Sequence, residues 1–342
     1  MSTVPDPGVA IVGCGFVGRK RAGALGPARL IACADSIPER AEALARDAPG
    51  VSVVDWRAAV THPGVGLVIV ATTNDALAPI ACAALESGRH VLVEKPAGRT
   101  VAELQTIARA AARHERLVRV GFNHRHHPAL LRARELVDAG EIGELMFVRG
   151  RYGHGGRLGY DREWRADPAR SGGGELLDQG VHMIDLAGWF LGAFVATDGS
   201  AHTYFWDMPV DDNAFLRLTT AAGKTAFLHV SCTEWRNLFS LEIYGKTGKL
   251  HVEGLGGSYG VERLAFYHMR PEMGPPDTTI WEYPQPDRSW EREFAEFLDD
   301  IRRNRRPAAG LESALAALKV VEAVYARSGY RTEAAPGAGS RP

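Results

Sequence analysis

Short apolar runs alternate with amphipathic stretches through the first third of the chain. VAIVG (9–13), LIACA (30–34), VSVV (51–54), GLVIVA (66–71), HVLV (90–93) and LVRVG (117–121) are too short for stable helices and read as strands. GLVIVA is nearly all apolar, as expected of a strand covered on both faces. Helical segments are predicted between the strands at 16–25, 38–47, 77–87 and 101–114. Pro38 falls in a first turn, where its missing N–H costs little, while Thr100 is a candidate N-cap and Gly88 a candidate C-cap. This rhythm predicts a doubly wound parallel sheet that ends near Phe122.

Beyond Phe122 the rhythm changes. Helices are predicted at 128–139 and 175–191, with a strand at 145–152 between them. Five strand-like segments follow, at 201–206, 214–220, 225–232, 239–244 and 249–252, with turns such as Gly223 and Gly248 between them. They predict a large, mainly antiparallel open sheet with one face packed on helices. Residues 271–287 carry five prolines and read as an irregular surface loop, and 290–304 and 310–328 as closing helices. The predicted organisation is an α/β domain over 1–122, an α+β domain over 123–330 that binds substrate and forms oligomers, and a disordered tail over 331–342.

Composition narrows the partners. With 40 basic and 41 acidic residues the formal net charge is −1, which gives no field to hold nucleic acid or an anionic membrane. No apolar run reaches membrane-spanning length, and the opening MSTVPDPG lacks the basic and apolar regions of a secretory leader. Cys14, Cys33, Cys82 and Cys232 form no CxxC pair and read as free thiols of a cytoplasmic protein. His124, His126 and His127 are clustered, but neighbouring side chains diverge, and no metal is expected.

The chemistry begins with Gly13-Cys14-Gly15-Phe16-Val17-Gly18, a GxGxxG run placed where a strand passes into a helix. There the glycines allow a tight turn and let the backbone approach a pyrophosphate, while the helix N-terminus offers free N–H groups to it. Asp35 ends the next strand, the position of the acid that binds the adenosine ribose in a Rossmann domain. A carboxylate there would repel a 2′-phosphate, and Ser36 follows where NADP would call for a base, so NAD is predicted over NADP. Lys95, in Glu94-Lys95-Pro96, stands at a strand's carboxyl end, where such sheets bind ligands and where an ammonium can stabilise charge on a substrate oxygen. Asp178 and His182 are spaced i, i+4, which would place both on one helix face, with the carboxylate orienting the imidazole and raising its pKa. Gly180 between them points to a close backbone contact.

GxGxxG, then Glu-Lys-Pro, then Asp-x-Gly-x-His in that order resembles the Gfo/Idh/MocA oxidoreductases, over residues 9 to about 328. The resemblance implies a Rossmann domain joined to an open-sheet domain, with nicotinamide in the cleft between them. It makes Lys95, Asp178 and His182 the catalytic set: His182 would take the hydroxyl proton as hydride leaves carbon, Lys95 would bind the same oxygen, and Asp178 would hold substrate and tune both. Which of Lys95 and His182 is the base stays open. The resemblance adds Thr72, Asn74, Glu94, Lys95 and Arg165 to the cofactor contacts and Asn123, Arg125 and Trp164 to the substrate contacts. It also places Leu77 where the family often has a histidine, and gives Asp185 a supporting role.

The implied activity is a dehydrogenase or ketoreductase acting on a secondary hydroxyl of a sugar, an aminosugar (aminoglycosides included) or a cyclitol, in a homodimer or homotetramer. Two other readings compete: a non-catalytic NAD-binding sensor, and a glycosidase that recycles its NAD. Asp161, Glu163, Glu175, Asp211, Asp212 and Glu234 would favour a cationic aminosugar if several reach the cleft, whereas His154, Arg157 and Arg162 would favour a phosphorylated one.

Overall fold

A computed structural model describes residues 6–48 and 51–330; the predicted tail lies outside this range. The first half runs β1 (Gly8–Val12), α1 (Phe16–Gly23), β2 (Leu30–Ala34), α2 (Pro38–Arg46), β3 (Ser52–Val53), α3 (Trp56–Thr61), β4 (Val65–Val70), α4 (Asn74–Glu86), β5 (His90–Val93), α5 (Val101–Arg113) and β6 (Val118–Val120). The six strands are parallel in the order β3-β2-β1-β4-β5-β6. Strand order reverses between β1 and β4, so the loops after β1, β4 and β5 open onto one crevice, the ligand position of doubly wound sheets.

The second half runs α6 (Pro128–Asp138), β7 (Leu145–Gly153), α7 (Pro168–Ser171), α8 (Val181–Leu191), β8 (Phe194–His202), β9 (Asn213–Thr220), β10 (Thr225–Ser231), β11 (Leu238–Gly245), β12 (Gly248–Glu253), β13 (Glu262–His268), β14 (Asp277–Tyr283), α9 (Ser289–Arg303) and α10 (Leu311–Ser328). Its eight strands form one sheet in the order β14-β13-β12-β11-β7-β10-β9-β8, antiparallel except where β10 meets β7. The two predicted sheet types are therefore present.

Two expectations differ. The five prolines of 271–287 flank β14, an exposed edge strand, where prolines are tolerated because one side needs no donor. Of the segment 201–206 only Ala201 and His202 are strand, the end of β8. The amides of Tyr204, Phe205 and Trp206 donate to the buried Asp212 carboxylate, which bends the chain after β8. Helix α9 leaves its sheet and packs Phe294, Phe297 and Leu298 under the first sheet against Ile11, Leu67 and Leu92. The first half thus takes part of its core from the end of the chain.

Candidate active site

The glycine loop follows β1. Gly13 has φ +95°, and a Cβ there would stand 2.3 Å from the Ala71 carbonyl oxygen. A Cβ on Gly18 would stand 1.9 Å from the Gly13 oxygen, so α1 rests directly on the loop backbone. Gly15 by contrast has open space on its Cβ side, and no side chain caps α1. The first-turn amides of Phe16 and Val17, with Phe16 itself exposed, are thus free to meet an anion. Asp35 lies against this loop: its Oδ2 accepts from Cys14 N at 2.6 Å and its Oδ1 from Ile37 N at 2.8 Å. The glycine cradle, the uncapped helix and the acid fit an NAD whose diphosphate lies on α1 and whose ribose meets Asp35.

Lys95 follows β5, with a cis peptide bond to Pro96. Its Nζ donates to the Asp178 carbonyl oxygen at 2.8 Å and to the Asp178 carboxylate. The other carboxylate oxygen accepts from Arg165 Nε at 2.9 Å. Burial by itself would raise the Asp178 carboxyl, but Lys95 and Arg165 outweigh it and hold the group well below the usual carboxylate range.

Asp178 lies in a π-helical turn, Leu176–Gly180, that runs straight into α8. Such turns carry an extra residue and re-aim side chains. Asp211, at the start of the β9 hairpin, anchors this turn: its carboxylate accepts from Gly174 N, Leu176 N and the Tyr325 hydroxyl. A Cβ on Gly174 would meet Asp211 O at 1.9 Å, and one on Gly180 would meet the Leu176 side chain at 2.8 Å. The glycines of this segment therefore serve packing.

The expected Asp178–His182 pair does not form. Both Asp178 oxygens are spent on Lys95 and Arg165, because the π turn points the carboxylate across the crevice. His182 is buried, its Nδ1 has no hydrogen-bond partner among the described residues, and its ring stacks on His124 with centroids 3.7 Å apart. Burial and then the Lys95 charge push its pKa well down, the reverse of the expected direction. His124 in turn meets the Tyr152 hydroxyl at 3.1 Å.

Several other residues expected to contact ligand also hold protein partners. Asn74, at the start of α4, donates to the Ser171 carbonyl oxygen at 2.8 Å, although it still borders the crevice. Glu94 turns inward to Arg21, which also holds Glu293 of α9 at 2.6 Å. Asn123 donates to Ser289 Oγ, and Arg125 forms a two-pronged ion pair with Asp185. All four are buried groups that packing has satisfied with protein partners. Thr72 stays on the loop after β4 and bonds the Thr73 carbonyl oxygen. Arg165 meets Asp178 and lies over the Trp164 ring, and Trp164 lines a small niche with Tyr160, Glu175 and Asp178.

Of the six acids expected near the cleft, Asp211 and Asp212 are structural, Glu163 pairs with Arg157, and Asp161 and Glu234 lie by Arg162 and His229, whereas Glu175 stands beside Asp178. The three clustered histidines diverge to Tyr152, Arg119 and Glu262. Asp211, Tyr325 and the His124 stack were not read as site-building groups; the chain marked Asp211 as a possible cleft acid and His124 as one of three clustered histidines, and gave no signal for Tyr325.

Comparison with known proteins bears on this geometry. Residues 8–122 match the oxidoreductase family with an NAD-binding Rossmann fold, and residues 130–251 match the GFO/IDH/MocA C-terminal domain. The chain belongs to the GFO/IDH/MocA family. Levoglucosan dehydrogenase of Pseudarthrobacter phenanthrenivorans is 30% identical over 238 residues, 63% of this chain and 59% of that protein. Inositol 2-dehydrogenase of Salmonella paratyphi B is 28% identical over 189 residues, 53% of each. The matched region thus spans little more than half the length of these relatives. The crystal structure of levoglucosan dehydrogenase with NADH and levoglucosan superposes with a TM-score of 0.85 at 23% identity, covering 95% of this chain and 98% of that one, which establishes the shared fold. The family model that residues 8–122 match is an NAD-binding Rossmann fold, in agreement with the NAD that the loop and Asp35 predict. Among the described residues no helix is long and apolar enough to cross a membrane.

Proposed function

We propose that this protein is an NAD-dependent dehydrogenase or ketoreductase acting on a secondary hydroxyl carbon of a sugar or cyclitol. The observation that carries the proposal is the Lys95 ammonium, held by the carbonyl and carboxylate of Asp178 at the mouth of the NAD crevice. Bound NAD supplies the hydride acceptor. Lys95 donates a hydrogen bond to the substrate oxygen and stabilises the charge that develops there. Asp178 fixes the ammonium and is itself fixed by Arg165. His182 is kept neutral by burial and by Lys95, the state in which imidazole accepts the hydroxyl proton.

Relatives named for levoglucosan and inositol support a polyol substrate. Aminosugars belong to the same chemical class. Here, however, Lys95 and Arg165 balance Asp178 and Glu175, which favours a neutral ring over a cationic one. The large sheet leaves Phe147, Phe215 and Phe227 exposed, and we propose that this face joins subunits in a dimer or tetramer, to be checked by sedimentation. Four free cysteines fit a cytoplasmic site of action.

The test is NADH formation from NAD over a panel of inositols, free and anhydro sugars, nucleotide sugars and aminoglycosides. Substrate-dependent NADH that disappears in Lys95→Ala supports the reading. NADH binding with no turnover on any member would overturn it in favour of a sensor or a cofactor-recycling glycosidase.

A further inference from the structure

One acid at the site has no hydrogen-bond partner among the described residues. Glu175 is 1% exposed, yet neither carboxylate oxygen has a hydrogen-bond partner among the described residues. His154 Nε2 stands 3.6 Å from Oε2, close enough for charge attraction but too far for a hydrogen bond. Buried polar groups are nearly always satisfied, and one that is not calls for a ligand or a functional reason.

Its position supplies the reason. Glu175 precedes Asp178 by three residues at the start of the π turn, and both line one niche with Trp164 and Arg165. The niche offers about 10 Å³, the space of one water or one hydroxyl and far less than a sugar ring needs. Each Asp178 oxygen already accepts a hydrogen bond from a protein cation, whereas both Glu175 oxygens are open acceptors. Burial raises the Glu175 carboxyl and His154 opposes it, while Glu175 outweighs burial to raise His154.

We propose that Glu175, oriented by His154, is a specificity-determining acceptor for a second hydroxyl of a neutral polyol, distinct from the hydroxyl that is oxidised. The assignment rests on the oxidoreductase reading above. Lys95 and Arg165 already balance Asp178 and Glu175, so the niche has no surplus negative charge to hold an ammonium. It selects rings that bring a hydroxyl to Glu175 while another lies on Lys95.

The test uses the full chain with NAD and the best sugar or cyclitol of the panel, together with the monodeoxy analogues of that compound. For the wild type, one analogue lacking a hydroxyl away from the oxidised carbon should lose at least tenfold in kcat/KM. Glu175→Gln should raise the KM of the parent compound at least tenfold, with kcat and the KM for NAD within threefold, and should no longer distinguish that analogue from the parent. Glu175→Asp should recover part of the loss. NADH fluorescence confirms that each variant is folded, and the analogue series on the wild type stands alone if a variant is not. A wild type indifferent to every deletion, or penalties that simply multiply between variant and analogue, overturns the assignment. A substrate whose amine is required overturns it as well. No turnover by the wild type on any compound removes the oxidoreductase reading and the assignment with it.

Discussion

Lys95 and Asp178 meet twice, the ammonium of one reaching both the main-chain and the side-chain oxygen of the other. The pair joins the strand end after β5 to the π turn before α8, so it fixes the crevice and the reactive group together. A side chain tethered at two points loses little further entropy when substrate arrives, which is the physical content of preorganisation.

Replacing Lys95 by Met should therefore lower kcat by about 10²- to 10⁴-fold. NADH affinity should stay within a few-fold, because the glycine loop and Asp35 lie on other strands. Steady-state NADH formation and NADH fluorescence titration separate the two effects. An unchanged kcat would remove Lys95 from the chemistry.

Asp35 holds the glycine loop through Cys14 N and presents its carboxylate at the ribose position. Asp35→Ser should reduce the preference for NAD over NADP at least tenfold and weaken NAD binding, since repulsion of the 2′-phosphate and a loop anchor are lost together. Fluorescence titration with NADH and NADPH measures both. A preference that survives the change would place discrimination elsewhere.

Gly18→Ala would force a methyl group to within 1.9 Å of the Gly13 carbonyl oxygen. Helix and loop must separate, and NADH affinity should fall more than tenfold while the second sheet stays folded. Titration and near-ultraviolet circular dichroism report the two outcomes.

Arg21 is fully buried between Glu94 and Glu293, tying α1 and β5 to α9. Arg21→Met leaves two carboxylates without their cation and should cost about 3–5 kcal/mol, read by urea denaturation. A loss below about 1 kcal/mol would mean that the acids are protonated or hydrated in the variant.

His126 is pushed down to about 3 by burial and by Arg119. Below its ordinary value of 6.5 the unfolded chain binds a proton at this ring and the folded chain does not, so its contribution to stability is whole above that pH and falls away toward acid. His126→Gln removes the dependence. Between pH 7.5 and 5.5 the variant should gain about 1 kcal/mol on the wild type, whatever the carboxylates contribute to both. An equal pH dependence in the two proteins would show that His126 titrates normally in the fold.

By itself the sequence determined the local devices of this protein. The glycine spacing, Asp35 at the end of β2, and Lys95 after β5 depend on sterics and strand order within a few residues, so they were legible. The partners of polar side chains were not. Asn74 found Ser171 across 97 residues, Glu94 found Arg21 across 73, and Asn123 found Ser289 across 166. The resemblance implies a ligand contact for each, and the structure adds a protein partner that packing brings within reach. The Asp178–His182 pairing failed for a nearer reason, since a regular α-helix was assumed where Asp211 anchors a π turn. Only the tertiary structure could leave Glu175 buried with both oxygens open, because an unmade hydrogen bond is defined by everything that surrounds it.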